Sequence, residues 1–477
     1  MSVTPLFERG PVPLICSDGS PCPPTPTRLK TTKYMIKALP FLLITSLLIG
    51  CGGYKFSEVI APLETGQPEA AYTYLQKHAP KNPDIPFLFD LGLVAHYANH
   101  FTESSAALDQ AGDIAEDRYT KSVSKEVTSL VTSDKLRPYA GTRYERLLSH
   151  YYRALNYIYR SQLDGALVEC RRATALIDYF KSDDKYDFFG AGFLANLSGM
   201  VFEAAGEWND AYISYRQAVE YYQNAAEKTG VPMPADIGNS LVRLTRKLGF
   251  TDEFERYRNQ YGEPPPRPEN TGELILFYES GYVPPKTEEA LTFPILKIDD
   301  VEDEKFVPTL VGREGRVYKD VELEYLLRVA IPTIGSLRPR FAGIEVTVAQ
   351  SQERGTLVAD VESIAVETFN AERPIILLRT LVRAVGKYLI YRKANKENEA
   401  LGLLVNLAGA VTEQADTRSW KTLPNQIFVV RMPLPAGTHT LNLSFLNANG
   451  RISRQESVPD VKINPNRITF LNYRTYE

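Results

Sequence analysis

Hydrophobic residues change their spacing several times along this chain of 477 residues, and each change marks a boundary. Ala38 to Gly50 is an unbroken, mostly apolar run. It is shorter than the roughly twenty residues a bilayer-spanning helix needs. Beyond Gly52, apolar positions recur at i, i+3, i+4 and i+7, which predicts a succession of amphipathic helices. Glu263-Pro-Pro-Pro-Arg-Pro-Glu-Asn270 ends that pattern, because successive prolines favour a stiff, extended spacer. After it the spacing turns to alternation, and strands are predicted at Glu273–Tyr278, Glu324–Ile331, Gly343–Ala349, Gly355–Ser363, Gln426–Met432, Thr438–Leu446 and Arg467–Tyr473. One segment, Ala371 to Gln414, returns to helical spacing: Ile375, Leu378, Val382, Val385 and Leu389 fall on one face, with Arg379, Arg383 and Lys387 opposite. After a polar turn, Ala400 to Val411 is apolar nearly all round. The segment reads as a helical hairpin with a buried second arm, or as an element that docks a partner or touches a membrane.

The helical half repeats. Leu91-Gly92-x-x-Ala95-x-x-x-Asn99-x-Phe101-x-x-Ser104-x-x-x-Leu108-x-x-Ala111 returns as Gly199-x-x-Phe202-x-x-x-Gly206-x-Trp208-x-x-Ala211-x-x-x-Tyr215-x-x-Ala218. Tyr157, Leu163, Ala166, Cys170 and Ala173 make a third copy, and Gly66, Ala71, Leu75 and Pro83 a fourth. This is the tetratricopeptide spacing, in which small residues let two helices approach and larger ones fill the seam. Units starting at Ile85, Leu147 and Gly192 lie 62 and 45 residues apart, so insertions of 28 (Tyr119 to Arg146) and 11 (Lys181 to Ala191) interrupt the array. Ile237 to Lys247 and Asp252 to Tyr261 form a closing pair, and Thr142-x-x-Glu145 is a capping box opening a long helix. The expected class is therefore α+β in two parts: a signal region over residues 1–50, a tetratricopeptide-like array over 51–262, a Pro-rich linker over 263–270, and a β-rich, sandwich-like domain over 271–477 with a helical-hairpin insertion over 371–414. First helices of such repeats line a concave face, where Phe89, Tyr97, Tyr151, Tyr159 and Asn196 are the candidate binding residues for an apolar or aromatic partner segment. The alternative is that the chain folds into its own groove.

The apolar run closes on Leu48-Ile49-Gly50-Cys51, which reads as a bacterial lipobox. Small residues there let a signal peptidase reach the bond before a cysteine that is then acylated. Lys33 and Lys37 supply the positive start of such a signal. Met35 to Cys51 has the length of a lipoprotein signal, so translation is expected to begin at Met35. Two or more acyl chains hold a protein stably on a membrane. Gly52 and Gly53 follow, without an aspartate at the second position, which favours the outer membrane over the inner one.

Removing residues 1–50 takes away two acids and five bases and moves the formal net charge from −4 to −7. A mildly acidic protein without a basic block argues against nucleic acid or an anionic lipid surface as ligand. Cys170 is the only thiol left after Cys51 is acylated, so no intrachain disulfide is expected, and its helix face suits core packing. His96 and His100 are four apart but lack the glutamate of a zinc-protease motif. Asp299 to Glu304 does not follow the EF-hand spacing. Asp416, Arg418 and Trp420 read as a salt-bridged corner where the insertion rejoins the sheet. No phosphate-binding glycine loop, serine elbow or paired-cysteine motif occurs, so neither enzymatic activity, metal nor cofactor is expected.

Tyr139-x-Gly141-x-x-Tyr144-Glu145-Arg146, Gly281-x-Val283-Pro284-x-Lys286 and Ala415-Asp416-Thr417-Arg418-x-Trp420-x-x-Leu423-Pro424 resemble an uncharacterised family of proteobacterial tetratricopeptide lipoproteins. The resemblance implies an envelope location and little chemistry. Together these readings lead to an expected lipid-anchored, periplasm-facing outer-membrane scaffold that binds another envelope protein through its helical array. A cell-wall or glycan-contacting accessory lipoprotein is the second reading, and a hydrolase the third.

Overall fold

The computed structural model describes residues 54–123, 138–181, 190–298, 321–398 and 413–477, with residues 402 and 406. Cys51 and the rest of the signal region, the acidic stretch 299–304 and most of 400–411 lie outside the described residues.

Ten helices precede the proline linker among the described residues: α1 (Phe56–Glu64), α2 (Pro68–Lys77), α3 (Ile85–Tyr97), α4 (Phe101–Val123), α5 (Arg143–Tyr159), α6 (Leu163–Lys181), α7 (Ala191–Ala205), α8 (Trp208–Thr229), α9 (Ala235–Leu248) and α10 (Thr251–Tyr261). They pair in chain order, and every pair uses the same turn. A residue with positive φ closes the first helix: Gly66, Asn99, Ser161, Gly206 and Gly249 in succession. At Gly206 the turn is held by Glu207 N–H donating to Phe202 O at 2.9 Å, the reversal expected where a left-handed residue caps a helix. The signature small residues sit where the pairs touch. A Cβ on Gly92 would meet Leu108 at 2.6 Å, and one on Gly199 would meet Tyr215 at 2.6 Å. The sixteen-residue offset within each motif is thus the closest approach of a helix to its partner, and the array is tetratricopeptide-like by its own packing. Asp84 caps α3, its carboxylate accepting from Phe87 N–H, and Thr142 with Glu145 forms the capping box of α5.

Beyond the linker come β1 (Thr271–Ser280), β2 (Lys286–Ile298), β3 (Val321–Ile334), β4 (Gly343–Val348), β5 (Ser351–Arg354), β6 (Thr356–Asp360), α11 (Val361–Glu397), β7 (Gln426–Pro435), β8 (Gly437–Leu446), β9 (Ile452–Ile463) and β10 (Ile468–Thr475). One sheet has the order β10-β1-β7-β6, a second β5-β4-β8-β9, and β2 with β3 forms a separate ribbon. Strand β1 pairs parallel with β10 and antiparallel with β7. Side chains alternate along β1. Leu274, Leu276 and Tyr278 join Ile344, Val346, Leu443 and Phe445 in the core between the two sheets. Ile275 and Phe277 point the other way, into the core of the helical array. The first sheet is therefore a middle layer buried on both faces, which is why β1 reads as a nearly continuous apolar run.

One boundary and the strand inventory differ from expectation. The strand expected at Gly355–Ser363 stops at Asp360, whose carboxylate accepts from Ser363 N–H at 2.7 Å and so begins α11 ten residues before the expected helical segment. The described part of the insertion is this one long helix, since the expected second arm falls outside the described residues. Ile375, Leu378, Val382, Val385 and Leu389 form the exposed face of this helix, while Arg383 on the opposite face is 1% exposed. The cause is charge, because Arg383 Nη2 reaches Glu413 at 2.8 Å and Lys387 Nζ reaches it at 2.5 Å on the inner side. Strands β2, β5 and β9 were not expected. Strand β9 lies at the edge of its sheet and alternates weakly, with most positions exposed.

Candidate functional site

The five candidate binding residues come together on one face, but that face is occupied. Phe89 stacks on Trp420 with centroids 4.4 Å apart and planes 12° from parallel. Tyr97 donates its hydroxyl to Glu279, and Tyr151 donates to the same carboxylate at 2.8 Å. Tyr159 donates to Asn472 Oδ1 at 2.7 Å, and Asn196 is buried on α7. Glu279 is the last residue but one of β1, and Asn472 lies in β10. The chain's own middle sheet and the strap 413–425 fill the concave face, so the expected opening for a partner segment is not present there. The aromatic rings bury apolar area, while their hydroxyls find acceptors on the sheet.

Arg431 is the densest contact of this interface. From β7 it donates to Glu273 at 2.6 and 3.0 Å, to Glu203 at 2.7 Å, and to Tyr215 and Ser240 at 3.0 Å each. The planar guanidinium offers five N–H donors in a fixed fork, and these five bonds join three helices to two strands. Arg243 and Arg267 add ion pairs at 3.3 and 2.8 Å. Burial alone would raise the Glu203 carboxyl, but Arg431 and Arg243 together hold it down at about 2.

The strap is fixed by two carboxylates of the array. Glu145 accepts from Trp420 N–H at 2.6 Å, and Asp90 accepts from Thr422 N–H at 3.1 Å and its hydroxyl at 2.8 Å. Burial pushes Asp90 up to about 6, against the lowering pull of its bonds to Tyr54 and Thr422. Asp416 and Arg418 do form the expected corner, paired at 2.8 Å. Glu279 is likewise raised by burial, with Arg474 and the tyrosine hydroxyls opposing.

The histidines take separate partners. His96 contacts Asn156 Oδ1 at 2.6 Å and Asn472 Nδ2 at 2.9 Å. Because Asn156 Nδ2 already donates to Ser104 and Ser105, its oxygen must accept, which places the proton on His96 Nδ1. Burial depresses His96 to about 4. His100 instead pairs with Glu69 at 2.8 Å. Cys170 is buried and its thiol is pushed up to about 12 by burial.

Sequence reasoning placed Glu203 on the concave face but missed Arg431, Glu273, Glu279 and Arg474. A signal existed in β1, where Glu273, Ile275, Phe277 and Glu279 share one face and put an acid at each end of it.

No family model and no curated protein matches this chain. Among solved structures, MamA is 14% identical with a TM-score of 0.27, covering 42% of this chain and 90% of that one. A kinesin light chain of Podosopora anserina with nearly identical TPR-like repeats is 15% identical with a TM-score of 0.28, over 43% of this chain and 89% of that one. The apo form of RapI is 11% identical with a TM-score of 0.33, over 48% and 58%. With likeness of this size, the repeat assignment rests on the chain's own helix pairs.

Proposed function

We propose that this protein is a lipid-anchored, periplasm-facing scaffold of the outer membrane that binds another envelope protein through surfaces other than its concave face. The single observation that carries the scaffold reading is the buried junction around Arg431, which joins array and middle sheet into one body. A rigid body of that kind presents fixed outer faces to a partner, and its buried carboxylates are engaged by donors of the same chain. The anchor rests on Leu48-Ile49-Gly50-Cys51, and the role assigned is binding without catalysis. The wall-contact reading comes second. The outer face of the second sheet carries Glu345, Thr347, Asn442, Ser444, Gln455 and Ser457, and no aromatic platform for a sugar ring is formed among the described residues there.

Labelled palmitate should enter the wild-type protein and not Cys51→Ser, and only the wild type should fractionate with outer membranes. Crosslinking in intact cells should then yield one recurrent protein adduct. Equal fractionation of the two forms would remove the anchor, and the absence of any recurrent adduct would remove the scaffold.

A further inference from the structure

Tyr54 follows Cys51 by three residues and is already built into the body. Its hydroxyl donates to Asp90, and its ring meets Phe87 edge-on with centroids 5.4 Å apart. Lys55 N–H donates to the Tyr74 hydroxyl at 3.0 Å. Helix α1 then buries Val59 and Leu63 in one cluster with Ala71, Leu75, Phe87 and Val94. Fraying the chain back from Tyr54 would take a donor from the buried Asp90 carboxylate and open this cluster.

Asp90 also ties this corner to the rest of the molecule. One carboxylate oxygen takes the Tyr54 hydroxyl, and the other takes the N–H and hydroxyl of Thr422 in the strap. Lys421 sits over the Phe56 ring at 5.4 Å, and Tyr476, just beyond β10, packs on the same cluster as α1. The first helix of the array, the strap and the last strand of the middle sheet therefore converge beside Tyr54.

Chain length decides what this corner faces. Extended residues span at most about 3.6 Å each, so three of them keep the Cys51 Cα within about 11 Å of the Tyr54 Cα. Acyl chains on Cys51 would lie in the hydrocarbon of a bilayer, and the polar layer outside that hydrocarbon is only about 6 Å deep. A tether this short keeps Tyr54 within reach of the headgroups. Lys55 and Lys421 stand against Glu58 and Glu64 of α1, so these four charges cancel and the tether, not headgroup charge, sets the contact.

We propose that the corner formed by α1, its N-cap Lys55 and Lys421 of the strap rests on the headgroups of the bilayer that holds the acyl chains, with no free stalk between anchor and body. This seating rests on the acylation of Cys51 proposed above.

The test uses the full acylated chain. Signal removal takes Cys16 and Cys22, and Cys170 is buried, so one introduced cysteine carries the label. A fluorophore is placed at exposed Ser57→Cys on α1, or at exposed Asn259→Cys on α10, which closes the array. The protein is reconstituted in phosphatidylcholine vesicles whose headgroups carry a nitroxide, a quencher that acts only near contact. The expected result is loss of emission at Ser57→Cys and none at Asn259→Cys, unchanged when phosphatidylglycerol is added. A flexible Gly-Ser insert of about twenty residues after Gly53, with a mean span of about 25 Å, should restore the emission while the protein stays on the vesicles. Mass measurement reads acylation separately. An unacylated chain would remove the anchor and the seating together, whereas an acylated chain with unquenched Ser57→Cys would overturn the seating alone. Equal quenching at both labels, or quenching that survives the insert, would overturn it as well.

Discussion

Trp420 lies flat on Phe89, 4.4 Å between ring centroids, and its own N–H is held by Glu145 at 2.6 Å. One residue of the strap thus seals the concave face with its ring and ties it with its backbone. Trp420 is fully buried. Truncating a buried tryptophan costs about 3–5 kcal/mol through lost transfer energy and the remaining cavity. Trp420→Ala is therefore expected to lower the unfolding free energy measured by urea titration by that amount, and Trp420→Phe by much less, since a ring is retained. Equal losses for the two would show that stacking on Phe89 is not what holds the strap.

Arg431 is the buried cation shared by Glu203 and Glu273, and its loss leaves them only the more exposed Arg243 and Arg267. Breaking a buried pair by removing one side costs about 3–5 kcal/mol, whereas replacing the whole group by apolar residues is often neutral. Arg431→Met should be strongly destabilising, and adding Glu203→Gln and Glu273→Gln should recover much of the loss. The pH dependence follows from the sign of the shift. Glu203 sits at about 2 in the folded chain against an ordinary 4.5. Its contribution is fully present above the ordinary value and disappears as pH falls towards 2, on the order of 3 kcal/mol in all. Equilibrium unfolding between pH 5 and about 2 should show this acid-labile component in the wild type and not in Arg431→Met.

The array was legible in the sequence because its rule is local. Gly92 and Leu108, or Gly199 and Tyr215, are sixteen apart and meet in the same helix pair. The strands with buried faces were legible for a similar reason, since β1 and β8 announce themselves by composition or alternation. What the repeat positions could not say is what faces them. Phe89, Tyr97 and Tyr151 have the character of a binding groove whether the occupant is a partner or the chain's own sheet. The closing partners, Trp420, Glu279 and Asn472, are far away in sequence and belong to another layer. Helix α11 was legible as a helix with two unlike faces, but which of them turns outwards is decided by Glu324 and Glu413, which periodicity does not weigh.

Asp90 and His96 lie on one helix and titrate in opposition. Asp90 is raised to about 6 from 3.8, so the folded state holds its proton more tightly and stability falls as pH rises between those values. His96 is lowered to about 4 from 6.5, so the unfolded state holds the proton more tightly and stability rises with pH across that range. Each is worth on the order of 3 kcal/mol, and between about pH 4 and 6 they offset one another. Relative to wild type, Asp90→Asn should gain a rising stability profile in this window and His96→Gln a falling one. Parallel profiles for the two variants would sink the pairing.

Glycine to alanine should have opposite signs at two places in the array. Gly112 lies within α4 with nothing near the added methyl, so Gly112→Ala removes unfolded-state freedom and should stabilise by about 0.5–1 kcal/mol. At Gly199 the methyl would meet the Tyr215 ring at 2.6 Å. Tyr215 cannot easily retreat, because its hydroxyl donates to Glu203 at 2.9 Å and accepts from Arg431 at 3.0 Å. Overpacking of this kind costs about 1–3 kcal/mol, and here it would also strain the junction between array and sheet. Gly199→Ala combined with Tyr215→Phe tests the coupling in a double-mutant cycle, since the ring remains while its tether is cut. A non-additive result, with the double variant less unstable than the sum, is expected. Strict additivity would mean that the repeat seam and the Arg431 cluster respond independently, and the idea that one tyrosine transmits strain between them would fall.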